Sequence, residues 1–223
     1  SAITTAFFSV VKGGDHVLVT DSVCNPAREF CEEILATFGV ETEYYDPLIG
    51  GEIARLIRPN TSLIWTESPG SITFEVQDLP AIVAAAKAAD HRVVTVVDNT
   101  YGSPGFFRPF DHGVDVSVVA ITKYWGGHSD VLMGGVFTNE RHLPTVRAAA
   151  RRLGMCTNGD EAYLGGFYEG DGEEDFSITT QDAMMSVLNN VLGVISAAVG
   201  GIAAISLLVG ALGILTMMWI SVK

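Results

Sequence analysis

Basic residues are scarce in this sequence. There are 13 lysines and arginines against 26 aspartates and glutamates, which gives a formal net charge of −13. A protein with this excess of negative charge repels polyanions, so we expect neither nucleic acid nor an anionic membrane surface among its partners. No lysine or arginine interrupts the acidic residues between Asp160 and Asp182. We interpret residues 161–182 as an acidic linker and predict no metal site, because the glycine-interrupted spacing fits no ligand template.

Cysteines are also few, and none forms a CxxC pair. The three are Cys24, Cys31 and Cys156. An odd number at wide spacing does not make a disulfide framework and favours a reducing compartment. We therefore expect the residues before the linker to be cytoplasmic.

Charge is absent from one long stretch, because no charged residue occurs from Ala183 to Val222. A membrane-spanning helix needs about 20 apolar residues. We predict a transmembrane helix within residues 183–223, with Gly193, Ala197 and Gly201 as a face of small residues suited to helix packing in lipid. The alternative is a buried hairpin of apolar helices in a soluble core.

Before the linker, apolar runs rich in Val and Ile alternate with segments of helical periodicity. The predicted strands are residues 16–20, 62–67, 92–98 and 115–122. The predicted helices are residues 26–39 and 78–90, the second with Asp78 as its N-cap. This alternation predicts an α/β domain over residues 1–160, with a mainly parallel sheet and helices on both faces.

Candidate site residues follow two of the predicted strands. Asp98 ends one strand, and Thr122 and Lys123 follow another. The carboxyl ends of parallel strands meet at one edge of a sheet, where ligands bind. A lysine able to form a Schiff base, with an acid for a pyridinium nitrogen, is the donor set of pyridoxal 5′-phosphate (PLP). The alternative for Lys123 is an ordinary solvated surface lysine.

Five motifs in order give residues 1–164 a resemblance to the Cys/Met-metabolism family of PLP-dependent enzymes. They are "GGDHVLVTDSVCNPAREFCEEIL", "YYDPLIGGEIARLI", "WTESPGSITFEVQDLPAI", "VVDNTYGSPG" and "TKYWGGHSD". The resemblance implies a fragment of the large domain of the type I (aldolase/aminotransferase-like) PLP fold, in a homo-oligomer. The variant "ESPGS" favours the β-lyase branch of the family.

The resemblance assigns roles to five residues. Lys123 would bind PLP covalently and then remove the Cα proton, and Asp98 would pair with the pyridine nitrogen. Thr122 would contact the phosphate, and Ser71 would contribute to cofactor binding. Cys24 stands where the family has a tyrosine stacked on the cofactor ring. The implied reaction is α,β-elimination from a small sulfur amino acid, which would convert cystathionine to homocysteine, pyruvate and ammonia.

This sequence also differs from the family pattern at several points. Cys24 cannot supply a stacking face, and the alternative role for it is a reactive thiol near the cofactor. The opening "SAITTAFFSVVKGGD" is typical of a helix entered partway along. We expect a truncated enzyme of doubtful activity that lacks the family's phosphate-binding glycine turn and its C-terminal domain.

Residues 174–223 resemble a different family, the membrane helix of macrolide-exporter (FtsX-like) ABC permeases. Lys223 is the basic residue near the predicted span, so the positive-inside rule places the C-terminus in the cytoplasm and the preceding segment outside. An enzyme with reduced cysteines belongs inside. The alternative hypothesis is therefore a chimeric chain without intact activity, joined near residues 164–174 and attached to the membrane by its C-terminal helix.

Overall fold

A six-stranded sheet organises the part of the chain that the computed structural model describes, which is residues 1–89, 92–103 and 105–170. The strands run in the order β2-β1-β3-β4-β5-β6. Their bounds are β1 His16–Thr20, β2 Glu41–Tyr45, β3 Thr61–Glu67, β4 Val94–Asp98, β5 Val116–Val119 and β6 Gly135–Thr138. The first five are parallel to one another, and β6 pairs antiparallel with β5.

Helices cover both faces of this sheet. Their bounds are α1 Ala2–Val10, α2 Asn25–Glu29, α3 Leu79–Ala89, α4 Leu143–Arg152 and α5 Gly159–Gly170. On one face α1 and α2 cover Val96 and Val118. On the other face α3 covers Ile64 and Val97. Because both faces are buried, β1, β4 and β5 are buried along their whole length, as the continuous apolar runs predict.

The strands and helices predicted within residues 1–160 are present with adjusted ends. Asp78 caps α3, because its Oδ1 accepts a hydrogen bond from the Ala81 N–H at 3.0 Å. The predicted helix 26–39 changes geometry along its length. After α2 it continues as a π-helix over Phe30–Ile34 and a 3₁₀ helix over Leu35–Phe38. It ends at Gly39, where a φ of 74° requires the left-handed conformation that glycine adopts without strain.

Two of the sequence predictions fall partly or wholly outside the described residues. The predicted linker 161–182 begins inside α5, so residues 161–170 are helical, and its remainder is not described. The predicted transmembrane helix over 183–223 also lies outside. Within the described ranges, no helix has both the length and the apolar character needed to cross a bilayer.

Candidate active site

Two carboxylates end neighbouring strands at the carboxyl edge of the sheet. Glu67 ends β3, Asp98 ends β4, and the two are register partners in the parallel pair. Side chains at paired positions of adjacent strands point to the same face. The sheet therefore brings two acids together at the edge where parallel sheets bind ligands.

Asp98 is held by the residue that follows the strand. Its Oδ1 accepts hydrogen bonds from the Thr100 N–H at 3.0 Å and from the Thr100 hydroxyl at 2.6 Å. The same hydroxyl accepts the Ala120 N–H at 2.9 Å and so links Asp98 to the end of β5. Burial raises the pKa of Asp98, while the bonds from Thr100 and the positive charge of Lys123 lower it. Asp98 is thus a buried acid under the influence of the predicted lysine.

Glu67 is the centre of a small hydrogen-bond cluster. It is 2% exposed, and its Oε2 accepts the Cys24 N–H at 2.9 Å. Its Oε1 accepts the Ser71 hydroxyl. Burial and the neighbouring Asp98 raise the pKa of Glu67 to about 7, although the bonds from Ser71 and Cys24 lower it. At neutral pH the edge can therefore hold a proton that an exposed glutamate would release.

The loop after β3 brings Ser71 to this cluster. The loop contains a cis peptide bond between Ser68 and Pro69. It then approaches the segment after β1 so closely that a Cβ on Gly70 would lie 2.5 Å from the Ser22 Cβ. The Ser71 N–H donates to the Ser22 carbonyl at 3.0 Å. Glycine is needed at residue 70 because two backbone segments pack against each other there.

Cys24 lies at the N-cap of α2, beside both acids. Burial, followed by the negative charge of Glu67, raises the pKa of the Cys24 thiol to about 12. A thiol with that pKa is protonated at neutral pH and is a poor nucleophile. A raised pKa argues against the alternative role as a reactive thiol near the cofactor, and that role stays an untested prediction.

Cys24, Glu67 and Asp98 each offer an atom that could bind a metal ion, and these atoms lie within 4.8 Å of one another. The three groups share a poorly solvated space, and burial raises the pKa of each of them. A proton relieves the repulsion between the two carboxylates without further ligands. The geometry alone therefore assigns no metal to the cluster.

Lys123 and Thr122 lie in a turn after β5, but their side chains have different surroundings. Lys123 is exposed, and its ammonium group has no hydrogen bond to any residue that the structure describes. The Thr122 hydroxyl donates to the Met133 carbonyl at 3.0 Å and accepts the Met133 N–H at 2.9 Å. Its proton is committed to the backbone, so in this conformation it cannot donate to a phosphate.

Three exposed or half-buried aromatic rings contact one another, and one of them, Tyr101, lies near the acids. Tyr101 contacts Phe74 at a centroid distance of 5.7 Å and Tyr124 at 5.6 Å. Burial raises the pKa of the Tyr101 phenol, and Tyr124, Glu67 and Asp98 raise it further. The aromatic group therefore borders the same edge of the sheet as the acids.

Most of the predicted site residues lie around Glu67, a residue that was not predicted to belong to the site. Asp98, Cys24 and Ser71 all lie at the edge where Glu67 ends its strand, and Lys123 is close enough to act on Asp98. Glu67 stood in the quoted motif "WTESPG" as the last residue of a predicted strand. Its position after a buried apolar run is the signal that identified Asp98 and could have identified Glu67.

Comparison with known proteins matches this part of the chain to one family. The model of the Cys/Met metabolism PLP-dependent enzymes matches residues 1–166. Over 164 residues the chain is 40% identical to the cystathionine β-lyase MetC of Escherichia coli, covering 74% of this chain and 42% of that protein. It is 39% identical over 163 residues to an L-alanine/L-glutamate racemase of Wolbachia pipientis, covering 73% of this chain and 40% of that protein.

A solved structure agrees with the fold. Cystathionine γ-lyase from Lactobacillus plantarum, complexed with L-serine, superposes with a TM-score of 0.71 at 29% sequence identity. The match covers 75% of this chain and 43% of that one. The chain thus spans less than half the length of the curated relatives and of the structure that it matches.

Proposed function

This chain belongs to the family of Cys/Met metabolism PLP-dependent enzymes, and we propose that it carries the lysine and the acid of a carbon–sulfur lyase. The proposed reaction is α,β-elimination of cystathionine. The observation that carries it is the position of Asp98, a buried acid at the end of a strand, close enough to the exposed amine of Lys123 for that charge to lower its pKa.

The residues present fit the pyridine end of PLP. The hydrogen bonds to Asp98 reach Oδ1, and none reaches Oδ2 from the residues that the structure describes. A cation at Oδ2 would lower the pKa of Asp98 and favour its carboxylate form. A protonated pyridine nitrogen is such a cation, and Lys123 is the amine for the covalent link.

The phosphate end and the ring face are less complete. The Thr122 hydroxyl is bonded to Met133, and Cys24 offers a protonated thiol where relatives are expected to have an aromatic ring. Ser71 is tied to Glu67 and so lies beside the ring position assigned to Cys24. We expect this chain to bind PLP more weakly than a relative with a stacked tyrosine.

The chain's own residues would hold one proton and move another. PLP, when bound, supplies the electron sink that stabilises negative charge at the substrate Cα. Asp98 holds the proton on the pyridine nitrogen and so preserves that sink. Lys123, as the free amine, takes the Cα proton. The Cβ–S bond then breaks, and the sulfur leaves with the bonding electrons and is protonated to homocysteine. The remaining three-carbon unit takes up water and gives pyruvate and ammonia.

The similarity to a racemase favours a second candidate reaction. Racemisation begins with the same removal of the Cα proton and ends when a proton returns to the opposite face. Lys123 and Asp98 would serve both reactions, so the products distinguish them. Pyruvate and a free thiol from cystathionine indicate the lyase, whereas D-alanine from L-alanine indicates the racemase.

The experiment loads the purified full chain with PLP, reduces it with borohydride and maps the modified peptide by mass spectrometry. We expect PLP on Lys123, none after Lys123→Arg, and weaker binding after Asp98→Asn. Lys12→Arg, at an exposed lysine, is the matched control and should bind like the wild type. Labelling that survives Lys123→Arg, or that spreads over surface lysines, would contradict the proposed function.

The uncharged stretch from Ala183 to Val222 supports a separate proposal of membrane attachment. Its origin in an ABC permease rests on the sequence resemblance alone. We expect the full chain to partition with membranes and a deletion of residues 183–223 to abolish this. Equal partitioning of both forms would argue against attachment by this segment.

A further inference from the structure

The Thr100 hydroxyl closes the carboxyl end of the β4–β5 pair. The backbone hydrogen bond at the end of this pair runs from the Asn99 N–H to the Val118 carbonyl at 2.8 Å. The Asn99 carbonyl accepts the Gly102 N–H at 3.1 Å within its own turn. The next N–H along the neighbouring segment belongs to Ala120, and the Thr100 hydroxyl accepts it at 2.9 Å. A side chain thus replaces the backbone acceptor at the point where the parallel pattern ends.

The direction of the hydrogen bonds at this hydroxyl is fixed. A backbone N–H can only donate, so the Thr100 oxygen accepts from Ala120 and the hydroxyl proton is left for Asp98. The Thr100 Oγ1 lies 2.6 Å from the Asp98 Oδ1, and the Thr100 N–H donates to the same oxygen at 3.0 Å. Both lone pairs of Oδ1 are therefore occupied. A proton bound to the Asp98 carboxyl group consequently has its place on Oδ2.

The same hydroxyl connects Asp98 to the turn that carries Lys123. Ala120, whose N–H is bonded to Thr100, accepts the Lys123 N–H at its carbonyl oxygen at 3.0 Å. Hydrogen bonds in series therefore join the Thr100 side chain to the backbone of Lys123. A displacement of Thr100 would move the carboxylate and the start of this turn together.

The charge of Asp98 depends on this contact as well. Titratable groups from several elements lie around Asp98, and they are Glu67 of β3, Cys24 at the N-cap of α2, Tyr101 after β4 and Lys123 after β5. Burial raises the pKa of Asp98, and the largest opposing influence is the hydrogen bond from the Thr100 hydroxyl, ahead of the charge of Lys123. A donor to a carboxylate stabilises its charged form. Removal of the hydroxyl should therefore raise the pKa of Asp98.

We propose that Thr100 is a positioning residue of the PLP site, which holds Asp98 by Oδ1, leaves Oδ2 for the pyridine nitrogen and ties this acid to the turn of Lys123. The inference rests on the proposed function, because it assigns the remaining oxygen of Asp98 to the pyridine end of PLP. Thr100 acts through Asp98 and Ala120 and does not itself bind the cofactor. Its hydroxyl matters because it bonds the acid and the neighbouring segment at once.

The first measurement uses the full chain without PLP. NMR of isotopically labelled aspartate carboxyl groups gives the pKa of Asp98, whose signal is the one that Asp98→Asn removes. We expect Thr100→Val, which keeps the shape of the side chain but not the hydroxyl, to raise this pKa. Thr100→Ala should do the same without placing a second methyl group beside the carboxylate, and it replaces Thr100→Val if circular dichroism shows that the latter does not fold. Thr100→Ser keeps the hydroxyl and should retain the wild-type pKa.

The second measurement is the PLP concentration at which half of Lys123 is labelled after borohydride reduction. We expect this concentration to rise about tenfold in Thr100→Val, because a hydrogen bond to a charged group is lost. In Thr100→Ser it should stay within about twofold of the wild type, because that bond is kept. Rescue by serine distinguishes the hydroxyl from the rest of the side chain.

Thr95→Val is the matched control, because a similar arrangement occurs at the opposite edge of the sheet. The Thr95 hydroxyl donates to the Asp115 Oδ2 at 3.0 Å and accepts the Asp115 N–H at 3.2 Å. The substitution therefore removes a comparable pair of hydrogen bonds near the start of β4. It should lower the free energy of unfolding but change neither the pKa of Asp98 nor the labelling of Lys123.

Two results would overturn the inference about Thr100. The first is a wild-type pKa of Asp98 in both Thr100→Val and Thr100→Ala. The second is a loss of labelling in Thr95→Val as large as that in Thr100→Val, because lost stability would then explain both. Failure of the proposed function is distinguishable, since Lys123 of the wild type would take up no PLP even where the pKa of Asp98 responds to Thr100→Val. That result would overturn the role of Thr100 in PLP binding together with the proposed function.

Discussion

Glu67 and Asp98 are direct neighbours across the β3–β4 pair, and their carboxyl oxygens lie within 4.8 Å of each other. Both are buried, so neither charge is well solvated. Burial, followed by the negative charge of Asp98, raises the pKa of Glu67 to about 7, and burial also raises the pKa of Asp98. This relationship makes the edge of the sheet sensitive to pH independently of any cofactor.

The first prediction concerns stability as a function of pH. Folding raises the pKa of Glu67 from 4.5 to about 7, so the folded state holds this proton more tightly than the unfolded state. The contribution of Glu67 to the free energy of unfolding is full below about pH 4.5 and is lost as the pH rises through about 7. The loss is roughly 3 kcal/mol. Glu67→Gln should remove it, so the variant should gain stability over the wild type between pH 5 and pH 8.

Urea unfolding at four pH values measures this difference. Glu33→Gln, at an exposed glutamate of the same chain, is the control and should keep the wild-type pH dependence. A constant difference between Glu67→Gln and the wild type across this range would show that Glu67 is ionised throughout.

The second prediction concerns thiol reactivity. Because burial and Glu67 raise the pKa of Cys24 from 9.0 to about 12, its thiolate fraction at neutral pH falls about a thousandfold. Iodoacetamide should modify the exposed Cys156 first and Cys24 far more slowly. The rate at Cys24 should still be rising at pH 9. Peptide mass spectrometry follows both sites in one sample, and equal rates at Cys24 and Cys156 would refute the buried, protonated thiol.

The third prediction separates a structural from a cofactor-binding role of Thr122. Its hydroxyl bonds both backbone groups of Met133 and so closes the loop between them. Thr122→Val should lower the free energy of unfolding by about 1–3 kcal/mol without PLP, because it leaves these groups unpaired. Thr122→Ser should restore it. Unchanged stability of Thr122→Val together with weaker PLP binding would favour the phosphate contact instead.

The fourth prediction concerns the core under the site. Phe7 is fully buried in α1 and stacks on Trp65 of β3 at a centroid distance of 4.4 Å. Phe7→Ala should cost about 3–5 kcal/mol, because it leaves a cavity beneath the strand that ends at Glu67. Phe7→Leu should cost less. Phe106→Ala, at a residue that is 79% exposed, should change stability by no more than about 0.5 kcal/mol. Thermal unfolding would show whether the three variants keep this order.

The sequence predicted the central strands because they are buried on both faces and therefore appear as continuous apolar runs. The sequence pattern did not predict two of the strands, β2 and β6. β2 is an edge strand in which exposed and half-buried residues follow one another, and β6 is a half-buried antiparallel strand of only four residues. Neither has the apolar run that marks a fully buried strand, and each owes its place to a partner distant in the chain.

Local pattern by itself determined that an α/β sheet with buried parallel strands is present and that Asp98 and Lys123 follow two of them. Hydrophobic periodicity is a property of neighbouring residues, so these features need no knowledge of the fold. Only the tertiary structure decided that Glu67 is the register partner of Asp98, that Cys24 is a protonated thiol, and that the Thr122 hydroxyl is taken by Met133. The first two depend on contacts between segments far apart in the chain and the third on a contact across the loop after β5, and such contacts set the solvation and charge at a site.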